Sequence, residues 1–155
     1  MKEFRIKSSD SDLELILYDI QGDYFKARIA SNHINSVREV YAYTDAYGLA
    51  DMMESLASHE KGWPDIRQWE TIEGEFKISA KCSKLGKVTF EIEFSHFGYA
   101  EEWLVKTKLN TELGQLPRLA KSAWAFFGKI AQLTSALRGT FAPLPLRKSP
   151  SSGAL

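Results

Sequence analysis

Cysteine is almost missing from this sequence: Cys82 stands alone, so no internal disulfide can form. Histidine is nearly as scarce, and His33, His59 and His96 lie tens of residues apart, none beside a second ligand at a metal-binding spacing. The chain has no Gly-x-Ser-x-Gly elbow, no phosphate-binding glycine loop and no dinucleotide fingerprint. It also has no uncharged apolar run near the ~20 residues of a membrane span. The N-terminal stretch MKEFRIKSSDSDLELILYDI carries charge where a signal peptide would be apolar. These absences predict a cytoplasmic protein with no metal, no cofactor and no catalytic set of its own.

Charge of one sign is lacking too, since 20 basic residues balance 20 acidic ones. Three of the basic residues, Arg138, Arg147 and Lys148, lie beyond Thr134 with no acid among them, so the body has a mild acidic excess. Nucleic-acid binding normally needs a concentrated basic face, and none is visible. What is present is an ordinary globular composition, 44% hydrophobic and 26% charged, in a chain long enough to bury a core without staples.

Apolar residues alternate in Phe4 and Ile6, in Leu13, Leu15 and Leu17, and in Phe25, Ala27 and Ile29, which predicts three short strands with Gly22 in the turn between the last two. Val37 to Tyr43 reads as a fourth. Asp45 is a candidate N-cap for a helix over about Ala46 to Lys61, with Leu49, Met52, Met53 and Leu56 on one face and Gly62, Trp63 and Pro64 ending it.

A hairpin gives the clearest signal. Phe76, Ile78, Ala80 and Cys82 alternate with charged or polar residues, as do Val88, Phe90, Ile92 and Phe94. Matching the two inward sets opposes Cys82 to Val88 and Lys77 to Glu93, leaving Lys84, Leu85 and Gly86 as a three-residue loop with a left-handed Gly86. The same alternation predicts Glu75, Glu91 and Glu93 on the solvent face and Cys82 as a small buried hydrophobe. A seventh strand follows the loop His96 to Ala100, with Trp103, Val105, Thr107 and Leu109 inward and Lys106 outward. A closing amphipathic helix begins near Gly114, with Pro117 in its first turn and Leu116, Ala120, Ala123, Phe127 and Ile130 on one face.

The expected fold is α+β: a mostly antiparallel sheet of about six or seven strands, one mid-chain helix and a C-terminal amphipathic helix packed on the sheet. Residues 1–133 form the domain, and 134–155, rich in proline and serine, are expected to be a flexible basic tail.

The segment Gly62 to Trp69 is the most unusual, placing two tryptophans and an arginine in an expected loop. Tryptophan and arginine dominate binding hot spots, so Trp63, Asp65, Arg67 and Trp69 are the partner-binding candidates. The structural alternative is that both tryptophans plug the end of the sheet and Arg67 pairs with a nearby carboxylate.

From about Asp45 to Phe127 the order of features resembles a bacterial domain family of unknown function. The resemblance rests on Gly62 and Trp63 after a helix, the spaced Arg67 and Trp69, Gly86 and Val88 at a hairpin turn, an inward Trp103, and the amphipathic run from Gly114. Asp65 stands where the family pattern has glycine, and Lys87 where it has histidine. The layout is also similar to WapI-type immunity proteins, which neutralise a neighbouring toxin. That resemblance implies a non-enzymatic protein-binding module whose partner is a protein of the toxin kind, and the charge and hydropathy patterns above predict neither a nucleic-acid nor a membrane partner. The alternative expectation is a small-molecule-binding domain or weak enzyme with a pocket near the Gly62 to Trp69 loop.

Overall fold

The computed structural model describes residues 2–43 and 45–141, with side chains described through residue 128. Eight strands form two four-stranded antiparallel sheets rather than one sheet of six or seven. The first is a meander of β1 (Glu3–Lys7), β2 (Glu14–Gln21), β3 (Tyr24–Ala30) and β4 (Asn35–Tyr41). Helix α1 (Gly48–Ala57) leads to the second meander, β5 (Arg67–Glu70), β6 (Phe76–Cys82), β7 (Lys87–Phe97) and β8 (Glu102–Glu112). A 3-10 turn (Leu113–Gln115) then enters α2 (Leu116–Phe141). That helix bends at Gly128, where φ is +82°, and continues past Leu133, where the apolar pattern ends. Of the expected tail, 142–155 lie outside the described residues.

The two sheets share one core. Phe4, Ile6, Leu15, Leu17, Phe25, Ala27 and Ile29 of the first are buried together with Phe76, Ile78, Phe90, Ile92 and Phe94 of the second. Phe25 joins the layers: its ring meets Phe76 edge-on at 6.3 Å, and Phe126 and Phe127 of α2 at 6.1 and 5.9 Å. Edge-to-face pairs of this kind add about 0.5–1.5 kcal/mol beyond area burial. The expected apolar face of α1 is confirmed, with Leu49, Met53 and Leu56 buried and Met52 half-buried.

The hairpin is as the alternation predicts. Cys82 opposes Val88, Lys77 opposes Glu93 with Nζ 3.5 Å from Oε2, and Gly86 has φ +85° in a loop closed by the Ser83 N–H to Lys87 carbonyl bond of 2.9 Å. Lys106 lies on the outer face beside Glu91.

Four local expectations are corrected. Asp45 does not cap α1: the N-cap position is Tyr47, with no side-chain hydrogen bond, because the Asp45 carboxylate is engaged by Trp69 instead. The Gly62 to Trp69 segment is not wholly a loop, since Arg67 and Trp69 belong to β5, whose four residues are too few for alternation to announce a strand. Cys82 is half-buried rather than buried, because it is the last residue of β6 and only partly covered.

The fourth correction is Glu75, expected in solvent but 5% exposed. Its carboxylate accepts the Tyr41 N–H at Oε2 (2.9 Å) and the Thr71 hydroxyl at Oε1. Tyr41 is on β4, the edge of the first sheet, so the backbone group that an edge strand leaves unpaired is satisfied by a side chain of the second sheet. Nearby, Arg38 of β4 donates from Nε to the Ser95 carbonyl of β7 at 2.8 Å. On the opposite side, the Ser9 N–H donates to the Asn110 carbonyl of β8 at 2.8 Å. The sheets are therefore linked at both sides as well as through the core.

Candidate functional site

The four sequence candidates separate into two kinds. Trp63 is 4% exposed and donates its indole N–H to the Ala80 carbonyl (3.2 Å); Trp69 is buried beside Phe76 and donates to Asp45 Oδ2 (2.7 Å). Both polar handles are consumed inside the molecule. Gly62, with φ +86°, lets the chain turn against Cys82, whose sulfur would lie 2.8 Å from a Cβ placed there. Asp65 and Arg67 reach the surface and pair with each other, Arg67 Nε donating to Asp65 Oδ1 at 2.7 Å. That hydrogen bond holds the Asp65 carboxyl below its ordinary range. The structure thus shows two core tryptophans and a solvent-facing ion pair, with no convergent aromatic patch among these four.

A hollow of about 560 Å³ does border this segment, with Lys61, Trp63, Cys82 and Lys84 in its wall. Among the described residues, no group of three or more His, Cys, Asp or Glu is placed to hold a metal, and no helix is long and apolar enough to cross a membrane. His59 lies edge-on to Trp63 and His96 stacks on Trp103; His33 is exposed.

A cluster of exposed apolar side chains, Phe97, Tyr99 and Leu104, lies elsewhere, at the joint of β7 and β8. Both strands have eleven residues, but β6 begins at Phe76 opposite Phe94, and Glu75 reaches only to Ser95. Beyond that point His96, Phe97, Glu102 and Trp103 continue as a two-stranded ribbon without a third strand. The Gly98 N–H to Glu101 carbonyl bond, 3.0 Å, closes the turn and leaves Tyr99 and Ala100 at its apex. Tyr99 is fully exposed, Phe97 is 72% exposed and Leu104, opposite Ser95, is 57% exposed. On the other face His96 and Trp103, directly opposed, stack with centroids 6.1 Å apart, and the Trp103 indole donates to Glu101 Oε1 at 3.1 Å.

The ribbon was not among the sequence candidates. A signal existed: extending the Cys82 to Val88 register places Gly74 opposite His96, so β7 must outrun β6, and Phe97 and Tyr99 beyond that point then have no sheet to cover them.

The chain belongs to a family of unknown function, DUF6228, whose pattern matches residues 6–130. That span runs from β1 into α2 and includes both the Gly62 to Trp69 segment and the ribbon. No curated protein and no solved structure matches the chain.

Proposed function

We propose that this chain is a non-enzymatic, cytoplasmic protein-binding module of the immunity type, acting by covering a surface of a cognate toxin. The observation that carries the reading is the ribbon: Phe97, Tyr99 and Leu104 are exposed on a two-stranded extension of β7 and β8. Fully burying a side chain of this size is favourable by about 1.5–3 kcal/mol. A clustered set left exposed is therefore a characteristic of binding surfaces, where aromatics serve as anchors. A second reading, small-molecule binding or weak catalysis, is favoured by the hollow beside Trp63 and Cys82, with Lys61 and Lys84 in its wall.

The test is co-expression with the product of the neighbouring gene, followed by co-purification and a growth assay. Wild type and Arg67→Ala are expected to retain the partner and restore growth. Phe97→Ser/Tyr99→Ser is expected to lose both while keeping its melting temperature, because neither side chain is part of the core. Loss with Arg67→Ala alone would return the site to the Gly62 to Trp69 segment. Loss with neither, joined to saturable binding of a small molecule that protects Cys82 from alkylation, would favour the second reading.

A further inference from the structure

On the reading that the ribbon is the binding surface, we infer that its partner is a protein presenting an apolar recess rimmed by arginine or lysine. The stretch from Phe94 to Val105 contains Glu101 and Glu102 and no lysine or arginine. The nearest cation along β8, Lys106, is held by Glu91 at 3.4 Å. Glu102 is exposed and makes no ion pair among the described residues, and it lies directly opposite the exposed Phe97. A partner that buries Phe97 therefore draws water away from the Glu102 carboxylate. An ionised carboxylate stripped of water without a compensating charge is strongly unfavourable, so the partner must bring a cation to that position.

The aromatics ask for the same group. The exposed faces of Tyr99 and Phe97 attract a guanidinium or ammonium through their ring quadrupoles, and arginine combines that stacking with a forked hydrogen bond to a carboxylate. A second copy of the chain would bring Glu101 and Glu102 against their own equivalents. Nucleic acid and anionic lipid would meet the same repulsion. A cationic protein recess satisfies both the apolar and the charged features at once.

The test uses a random 12-residue peptide library displayed on phage, panned on the full chain with Phe97→Ser/Tyr99→Ser as the subtracting competitor. Enriched peptides are expected to carry net positive charge with arginine or lysine beside an aromatic or aliphatic residue. Their binding should fall about tenfold or more with Phe97→Ser/Tyr99→Ser, and by a similar factor with Glu101→Gln/Glu102→Gln, a pair that keeps side-chain shape. Affinity should also fall as salt is raised. Peptides that depend on Phe97 and Tyr99 but are neutral or acidic, and indifferent to Glu101→Gln/Glu102→Gln, would overturn the charge inference and leave the ribbon as binding surface. Peptides that bind the Phe97→Ser/Tyr99→Ser protein equally well, or a library that enriches nothing, would overturn both. Co-sedimentation of the wild type, but not of that variant, with phosphatidylcholine vesicles would replace the protein recess with a lipid surface.

Discussion

Gly48→Ala sets two physical effects against each other, and the structure decides the sign. Gly48 is the first residue of α1, and helix propensity alone would favour alanine there by up to about 1 kcal/mol. A Cβ at that position, however, would fall against the Trp69 indole nitrogen and the Asp45 carboxylate, with Asp45 Cγ only 2.6 Å away. Either the indole or the carboxylate must withdraw, which breaks the 2.7 Å bond between them. Losing a hydrogen bond to a charged group costs about 1.5–3 kcal/mol, and overpacking adds about 1–3 kcal/mol. Set against the propensity gain, the net expectation is destabilisation by about 1.5–5 kcal/mol, or a melting temperature lower by about 3–20 °C for a domain of this size.

The assay is thermal and urea unfolding followed by circular dichroism, with Gly114→Ala as control. A Cβ at Gly114 meets nothing within 4 Å, so that variant should stay within about 0.5 kcal/mol of wild type. Trp69→Phe removes the indole nitrogen and should cost about 2 kcal/mol in the wild type, but less than about 1 kcal/mol in the Gly48→Ala background, where the bond is already gone. A Gly48→Ala protein that melts at or above wild type, or strict additivity of the two changes, would show that the Asp45, Gly48 and Trp69 contact does not constrain the fold.

Two further outcomes follow from the same structure. Arg67→Ala should leave the melting temperature at neutral pH nearly unchanged, because the pair it breaks is solvent-exposed, while the Asp65 carboxyl, now held below its ordinary range by Arg67, should titrate closer to that range in a side-chain NMR experiment. The sign is that of a depressed carboxyl: any stability the pair supplies is present at neutral pH and lost as pH falls through the folded-state value, so Arg67→Ala should flatten the acid limb. Glu75→Gln should lower stability by about 1–3 kcal/mol and speed hydrogen exchange at the Tyr41 amide, because the Tyr41 N–H and the Thr71 hydroxyl both donate to the carboxylate and an amide offers only one acceptor oxygen.

How much of this was legible in the sequence depended on how far each feature reaches along the chain. The β6–β7 hairpin was readable to the residue because two alternating runs and Gly86 lie within twenty residues of one another and fix a single register. The buried face of α1 was readable because Leu49, Met53 and Leu56 repeat within one helix. The division into two sheets was not, since alternation states that a strand has an inward face and does not state which strand lies beside it. Glu75 obeys the alternation and is buried anyway, covered by a β4 edge that arrives from 34 residues away. The candidate loop was misjudged in emphasis for a related reason: composition marks Trp63 and Trp69 as anchors, and only the fold shows that Ala80 and Asp45 already occupy their indole nitrogens.

Three of the four tryptophans, Trp63, Trp69 and Trp103, therefore separate by where their polar ends are satisfied. Trp63 and Trp69 reach acceptors from other elements, one on the adjacent strand β6 and one just ahead of α1, and in doing so fasten the Gly62 to Trp69 segment to both. Trp103 instead reaches Glu101, two residues away on the same turn, so its bond stiffens the ribbon without attaching it to the rest of the protein. Together with the His96 stack and the Gly98 to Glu101 closure, that local bond holds the turn in one shape while leaving Phe97 and Tyr99 uncovered. A backbone ordered before contact loses less conformational entropy when it binds, about 1–2 kcal/mol for each residue whose backbone need not be fixed. The ribbon has that preorganisation, whereas the Asp65 and Arg67 pair, exposed and already satisfied, would have to be broken or desolvated before either residue could serve a partner.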